Sequence, residues 1–192
     1  MTSENELGSV LLAIARSAIA VSLGVGGAAD ASHAELFKPA ATFVTLKKSG
    51  ALRGCIGTLA PFRPMHQDVR ENAIGAAFGD PRFQPLTAAE FEATSVEVSL
   101  LSASEMLDVA AEDDLLARLR PGCDGLTLEY GRHRATFLPQ VWEQLADPQD
   151  FVVALKRKAG LPADFWNPRM TVSRYQVTKW AEGAPILAGA RS

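Results

Sequence analysis

Residues 41–59 read Ala-Thr-Phe-Val-Thr-Leu-Lys-Lys-Ser-Gly-Ala-Leu-Arg-Gly-Cys-Ile-Gly-Thr-Leu. Apolar and β-branched residues run from Ala41 to Lys47 and again from Ala51 to Leu59. Lys48-Ser49-Gly50 between them is a short turn in which glycine supplies positive φ. The pair predicts an antiparallel hairpin, and the rest of the chain repeats that theme. Val96, Val98 and Leu100 alternate with Ser95, Glu97 and Ser99, which predicts a half-buried strand over 94–101. Leu126–Tyr130 and Arg134–Leu138 form a second hairpin around Gly131, and 170–179 reads as one last strand. Hairpins dominate and no βαβ series repeats, so the class is α+β, mainly antiparallel sheet with flanking helices.

Helices fill the intervals. Ser3-x-x-Glu6 is a capping-box pattern, and Leu7, Val10, Leu11, Ile14, Ala18 and Val21 follow helical spacing. A second helix runs from Pro64 to Phe78 with Val69, Ala73, Ile74 and Ala77 on one face, and it stops before Asp80-Pro81. Thr87-x-x-Glu90 caps a short helix. Others span 112–120, 139–145 and 149–159, the last capped by Asp147 and stopped by Gly160. One domain is expected over 1–180, with a tail over 181–192.

With 192 residues and a net charge of -3, hydrophobic residues at 47% and charged ones at 21%, the chain is an ordinary globular mixture. Disorder and a strongly basic nucleic-acid-binding domain are excluded. Two distant cysteines point to free thiols, a reducing compartment and a cytoplasmic protein. In residues 7–31 Arg16 interrupts the apolar run, and Glu4 and Glu6 stand where a signal peptide carries positive charge. Gly24-Val25-Gly26-Gly27-Ala28-Ala29 fits G-x-G-x-x-A in letters only. It follows a helix, whereas a dinucleotide site follows a strand and opens a helix. No cofactor is expected, and no metal, because the cysteines and histidines lack ligand spacing.

Within the hairpin, Leu52-Arg53-Gly54-Cys55-Ile56-Gly57 is the unusual stretch. Two glycines in a strand weaken it and mark a bulge or a close approach to the backbone. Strict alternation places Arg53, Cys55 and Gly57 on one face and Leu52, Gly54 and Ile56 on the other. An arginine beside a thiol on a face opened by glycine suits a stabilised thiolate, while a buried, inert cysteine is the plainer alternative. His33, His66 and His133 carry no catalytic signature, and Cys123 sits in a turn. Asp80-Pro81-Arg82-Phe83 reads either as a rigid turn or as an arginine offered to an anion. Arg132-His133-Arg134 and Lys156-Arg157-Lys158 read as a solvated turn and a solvated helix face.

The hexapeptide at 52–57 resembles the signature of the AMMECR-one domain family, whose bacterial and archaeal members are called AmmeMemoRadiSam system protein A. Further blocks agree in order: Ala76–Phe83, Gly122-x-x-Gly125-Leu126, Phe137–Val141 and Lys158–Leu161. The similarity runs from about residue 7 to 178. Many members carry a tryptophan several residues after Val141, whereas here Trp142 follows at once and Asp147-Pro148 comes later. The resemblance implies a larger and a smaller lobe sharing one chain, with the hexapeptide near the cleft between them. It also implies a Memo-family protein and a radical S-adenosylmethionine protein as partners, but no assigned reaction. On this reading Cys55 is a nucleophile or covalent carrier, Arg53 steadies its thiolate or grips an anion, and Gly54 and Gly57 leave room for substrate. Arg82 is a second anion contact. The competing reading is a non-catalytic interaction module whose strand edge accepts a partner chain, with RNA or nucleotide binding through the basic clusters as a variant that the net charge disfavours.

Overall fold

The computed structural model describes residues 3–29 and 32–183. It consists of helices and antiparallel sheets, and the chain divides into two compact units. The first takes residues up to Leu101 and from Thr178, and the second takes Ser102–Val177.

In chain order the first unit contains α1 (Ser3–Leu23), β1 (Pro39–Ala40), β2 (Thr42–Lys48), β3 (Ala51–Gly57), β4 (Arg63–Pro64), α2 (Met65–Phe78), α3 (Ala88–Glu92) and β5 (Thr94–Leu101). The second contains β6 (Glu105–Leu107), α4 (Glu112–Arg118), β7 (Gly125–Tyr130), β8 (His133–Phe137), α5 (Pro148–Lys158) and β9 (Thr171–Tyr175). A last strand, β10 (Val177–Ala181), completes the first unit's sheet, whose order is β10-β5-β2-β3. The second sheet has the order β6-β9-β7-β8. The expected strand over 170–179 is therefore two strands in two sheets, parted at Gln176. The backbone of Gln176 there turns to exchange bonds with Ser102. The expected tail at 181–192 also gives way at its start. Ala181 belongs to β10, and Glu182 binds Arg16 and the Val96 amide. Residues 184–192 lie outside the described residues.

The first hairpin turns through Ser49 and Gly50, both at positive φ, which matches the twist of a two-residue hairpin loop. Val44 and Leu46 of β2 and Val96 and Val98 of β5 face inward, where Leu11, Ala15 and Ile19 of α1 and Val69 and Ala73 of α2 meet them. By length and composition α1 is apolar enough to cross a membrane, contrary to the expectation from Arg16, yet its apolar stripe is spent on this core. Val21, expected on that stripe, is exposed. The Ser3 cap falls at residues whose side chains lie outside the described ones. In the second unit Trp142 is buried, stacks on Phe151 at 3.8 Å and donates through Nε1 to the Asp124 carbonyl. The helix expected over 112–120 ends at Arg118, because Arg120 precedes Pro121 and that junction disfavours helical backbone.

The first turn of α2 is anchored by Asp68, which is fully buried. Its Oδ2 accepts from the Thr42 amide (2.8 Å) and hydroxyl (2.6 Å), the Thr58 hydroxyl (2.7 Å) and Asn72 Nδ2 (3.0 Å). Its Oδ1 accepts from Arg63 Nε at 2.8 Å. Five donors converge on one carboxylate, and its removal leaves the buried Thr42 amide and hydroxyl without that acceptor and Arg63 without its buried partner. Asp68→Ala is expected to cost about 3–5 kcal/mol in chemical denaturation, the range for breaking a buried charge pair. A loss under about 1 kcal/mol would show that the cluster does not hold the helix to the sheet.

Candidate functional site

The hexapeptide forms β3, an edge strand, and its register explains both glycines. Leu52 pairs with Lys47 and Gly54 with Leu46, so Arg53 is an extra residue opposite a continuous partner strand. This bulge breaks the strict alternation. Leu52 shares a face with Cys55 through the Lys47 and Thr45 pairings, and Gly54 and Ile56 alone face α2. The close approach at Gly54 is real, but the approaching group belongs to the chain itself. A Cβ there would lie 2.1 Å from the Ala76 carbonyl oxygen of α2. A Cβ on Gly57 would lie 2.2 Å from the ring of its cross-strand neighbour Phe43. The space that the glycines were expected to keep for substrate is filled by a helix backbone and an aromatic ring.

Because α2 packs this closely on β3, the residues that follow it run beside the free edge of the strand. Asp80 side-chain oxygens accept from the Cys55 amide (2.9 Å), the Arg82 amide (3.1 Å), Arg82 Nε (2.9 Å) and Arg82 Nη2 (2.7 Å). The Asp80 side chain is 2% exposed, against 55% for Arg82. The hydrogen bonds from Arg82 dominate and hold the Asp80 carboxyl well below the usual carboxylate range, although burial opposes them. They push the Arg82 guanidinium further up, and the nearby Cys55 side chain adds to that direction. Asp80-Pro81-Arg82-Phe83 is thus the rigid turn of its structural reading, and Arg82 within it is half-exposed while bound to Asp80.

Arg53 swings away along the edge. Its Nη2 donates to the Gln84 carbonyl (2.9 Å) and to Glu90 (3.1 Å), and its Nε donates to Glu90 at 3.3 Å. Glu90 is held down to about 2, first by the hydrogen bond from Arg53 and then by that from Lys48. The same Glu90 completes the expected capping box with Thr87. Arg53 Nη1 is buried without an acceptor among the described residues, and no hydrogen bond joins Arg53 to the Cys55 sulfur. Cys55 is half-buried, with Thr45 Oγ1 donating to its Sγ at 3.3 Å, whereas Cys123 is exposed.

The histidines all have structural partners. His33 Nδ1 accepts from the Glu35 amide, His66 Nδ1 lies 2.9 Å from the Leu36 carbonyl, and His133 Nδ1 lies 2.9 Å from that of Ala159. The basic clusters are not simply solvated. Lys156 is fully buried and bonded to Glu112 (2.6 Å) and the Ala163 carbonyl, Lys158 donates to the Thr136 carbonyl, and Arg134 pairs with Glu129. Asp68 and Thr45 escaped the sequence reading. The cue for Asp68 was its place one turn into a helix facing a strand. Thr45 could be found only from the cross-strand register.

The AMMECR1 family model matches residues 12–180. The chain belongs to the AMMECR1 family. A Methanothermobacter thermautotrophicus protein is 44% identical over 136 residues, which is 70% of this chain and 71% of that protein. Protein MJ0810 of Methanocaldococcus jannaschii is 42% identical, over 60% of this chain and 58% of its own length. Protein MK0488 of Methanopyrus kandleri is 34% identical over 94% of this chain and 90% of its own. The crystal structure of uncharacterized protein PH0010 from Pyrococcus horikoshii superposes with a TM-score of 0.78 at 33% identity, covering 94% and 93% of the two chains.

The Asp80 clamp has a defined pH signature. A carboxyl whose folded pKa lies below its ordinary 3.8 lends stability that is present in full above that value. This stability is lost only as pH falls through the depressed folded value. Hydrogen-exchange protection of the Cys55 amide is therefore expected to persist through pH 4 and to fade well below it, and Asp80→Ala should lose it at every pH. Protection that disappears with a midpoint near 4 would contradict the clamp.

Proposed function

We propose that this AMMECR1 protein is a thiol-dependent catalytic or substrate-handling component that works with a Memo-like protein and a radical S-adenosylmethionine protein. Cys55 is the nucleophile or covalent carrier and Arg82 the contact for an anionic substrate group. The observation that supports this reading is the setting of the sulfur. Thr45 donates a hydroxyl to it, Asp80 fixes its backbone, and the same Asp80 holds the Arg82 guanidinium with one terminal nitrogen clear of the carboxylate. A hydroxyl donor and a fixed cation are what a reacting thiolate requires. The interaction-module reading is weakened at this point of the strand, since Asp80 already takes the Cys55 amide that a docking chain would use.

The test is site-resolved alkylation of the native protein with iodoacetamide across pH, with Cys123 as the exposed internal reference. Cys55 is expected to react faster than Cys123 at neutral pH despite being less exposed. Thr45→Val should slow Cys55 several-fold while leaving Cys123 and the melting temperature unchanged. Cys55→Ser should keep the fold and co-elution with the Memo-like and radical proteins, and lose any covalent adduct. A Cys55 that stays inert until the protein unfolds would sink the proposal. Bulky replacements of Gly57 cannot stand in for this experiment, because they collide with Phe43 before they reach any partner.

A further inference from the structure

The geometry points to a small-ligand site in the first unit, apart from Cys55, that takes a short-chain carboxylate with its apolar body between α1 and α2 and its charge on Arg70. A cavity of about 300 Å³ lies there, at the lower end of the range for small-molecule sites. Ile14, Ala18 and Val21 line one wall from successive turns of α1, and Ala28 lines another from the loop that follows. Small side chains leave the volume open. Gly27 and Ala29 of that loop are tied to α1, since Ser17 Oγ donates to the Gly27 carbonyl (2.7 Å) and accepts from the Ala29 amide (2.8 Å).

Arg70 carries the one formal charge on the cavity wall among the described residues. His66 and Arg70 stand one turn apart on α2, and no carboxylate lines the cavity among the described residues. His66 Nδ1 lies 2.9 Å from the Leu36 carbonyl, which only accepts, so Nδ1 is the donor in that bond. Arg70 is exposed and makes no ion pair among the described residues, unlike Arg53, Arg63 and Arg82 in the same unit. An apolar pocket with one guanidinium on its wall favours an amphiphile with a single anionic head over a neutral one.

The experiment is amide chemical-shift mapping of the protein titrated with sodium octanoate, with octan-1-ol as the neutral probe and sodium acetate as the head group alone. Octanoate is expected to give saturable shifts centred on Ala18, Val21 and Ala28, and octan-1-ol and acetate to bind at least tenfold more weakly. Arg70→Gln, an exposed change that leaves the core intact, should weaken octanoate about tenfold and leave octan-1-ol unaffected. Ala28→Leu, which fills the cavity, should abolish the response. No saturable shift at these residues, equal binding of octan-1-ol, or indifference to Arg70→Gln would each overturn the assignment.

Discussion

The distance between β3 and α2 governs the rest of the site. At Gly54 the strand has no side chain, and the Ala76 carbonyl occupies the place where one would begin. That contact draws the C-terminal turn of the helix against the edge strand, so the residues after Phe78 emerge beside Cys55. Asp80 can then reach the Cys55 amide, and Arg82 can close on Asp80. A β-carbon on residue 54 would push the helix outward and move every later contact with it. The hexapeptide and the Asp-Pro-Arg-Phe block, 25 residues apart at Cys55 and Asp80, are thus one structural unit.

Buried aspartates hold α2 at both ends. Asp68 ties its first turn to the start of β2, and Asp80 ties its exit to the middle of β3. Each carboxylate meets a positive partner and backbone amides, which is how buried charge is made tolerable. The same bonds fix the helix relative to the sheet in register and not only in distance. The sulfur of Cys55 gains its setting from that rigidity, since Thr45 lies across the same strand pair.

Much of this architecture is legible in local patterns. Both hairpins, the strand over 94–101, the capping box at Thr87 and the Asp147 cap depend on neighbours within a few residues, and the sequence displays them directly. What escapes depends on distant partners. Lys156 looks like one cation in a solvated run, yet Glu112, 44 residues earlier, draws it inside. The stretch over 170–179 alternates as one strand, because a change of sheet at Gln176 leaves no mark on periodicity. The bulge at Arg53 escapes for a similar reason, since a register needs two strands to define it. The glycines correctly announce a close approach, but composition cannot say that the neighbour is the protein's own helix.

The first unit is not contiguous along the chain. Its sheet needs β10, its Gly8 notch receives Trp180, and Arg16 at its N-terminal helix waits for Glu182. During synthesis, everything from Ser102 to Val177 must leave the ribosome before those partners exist. Until then the outer edge of β5 is unpaired and the Trp180 seat on α1 is empty, a template for the wrong strand. The order of translation therefore makes completion of the N-terminal half the last event in assembly. A ribosome pausing between β9 and β10 would lengthen the interval in which that edge is open to misassociation.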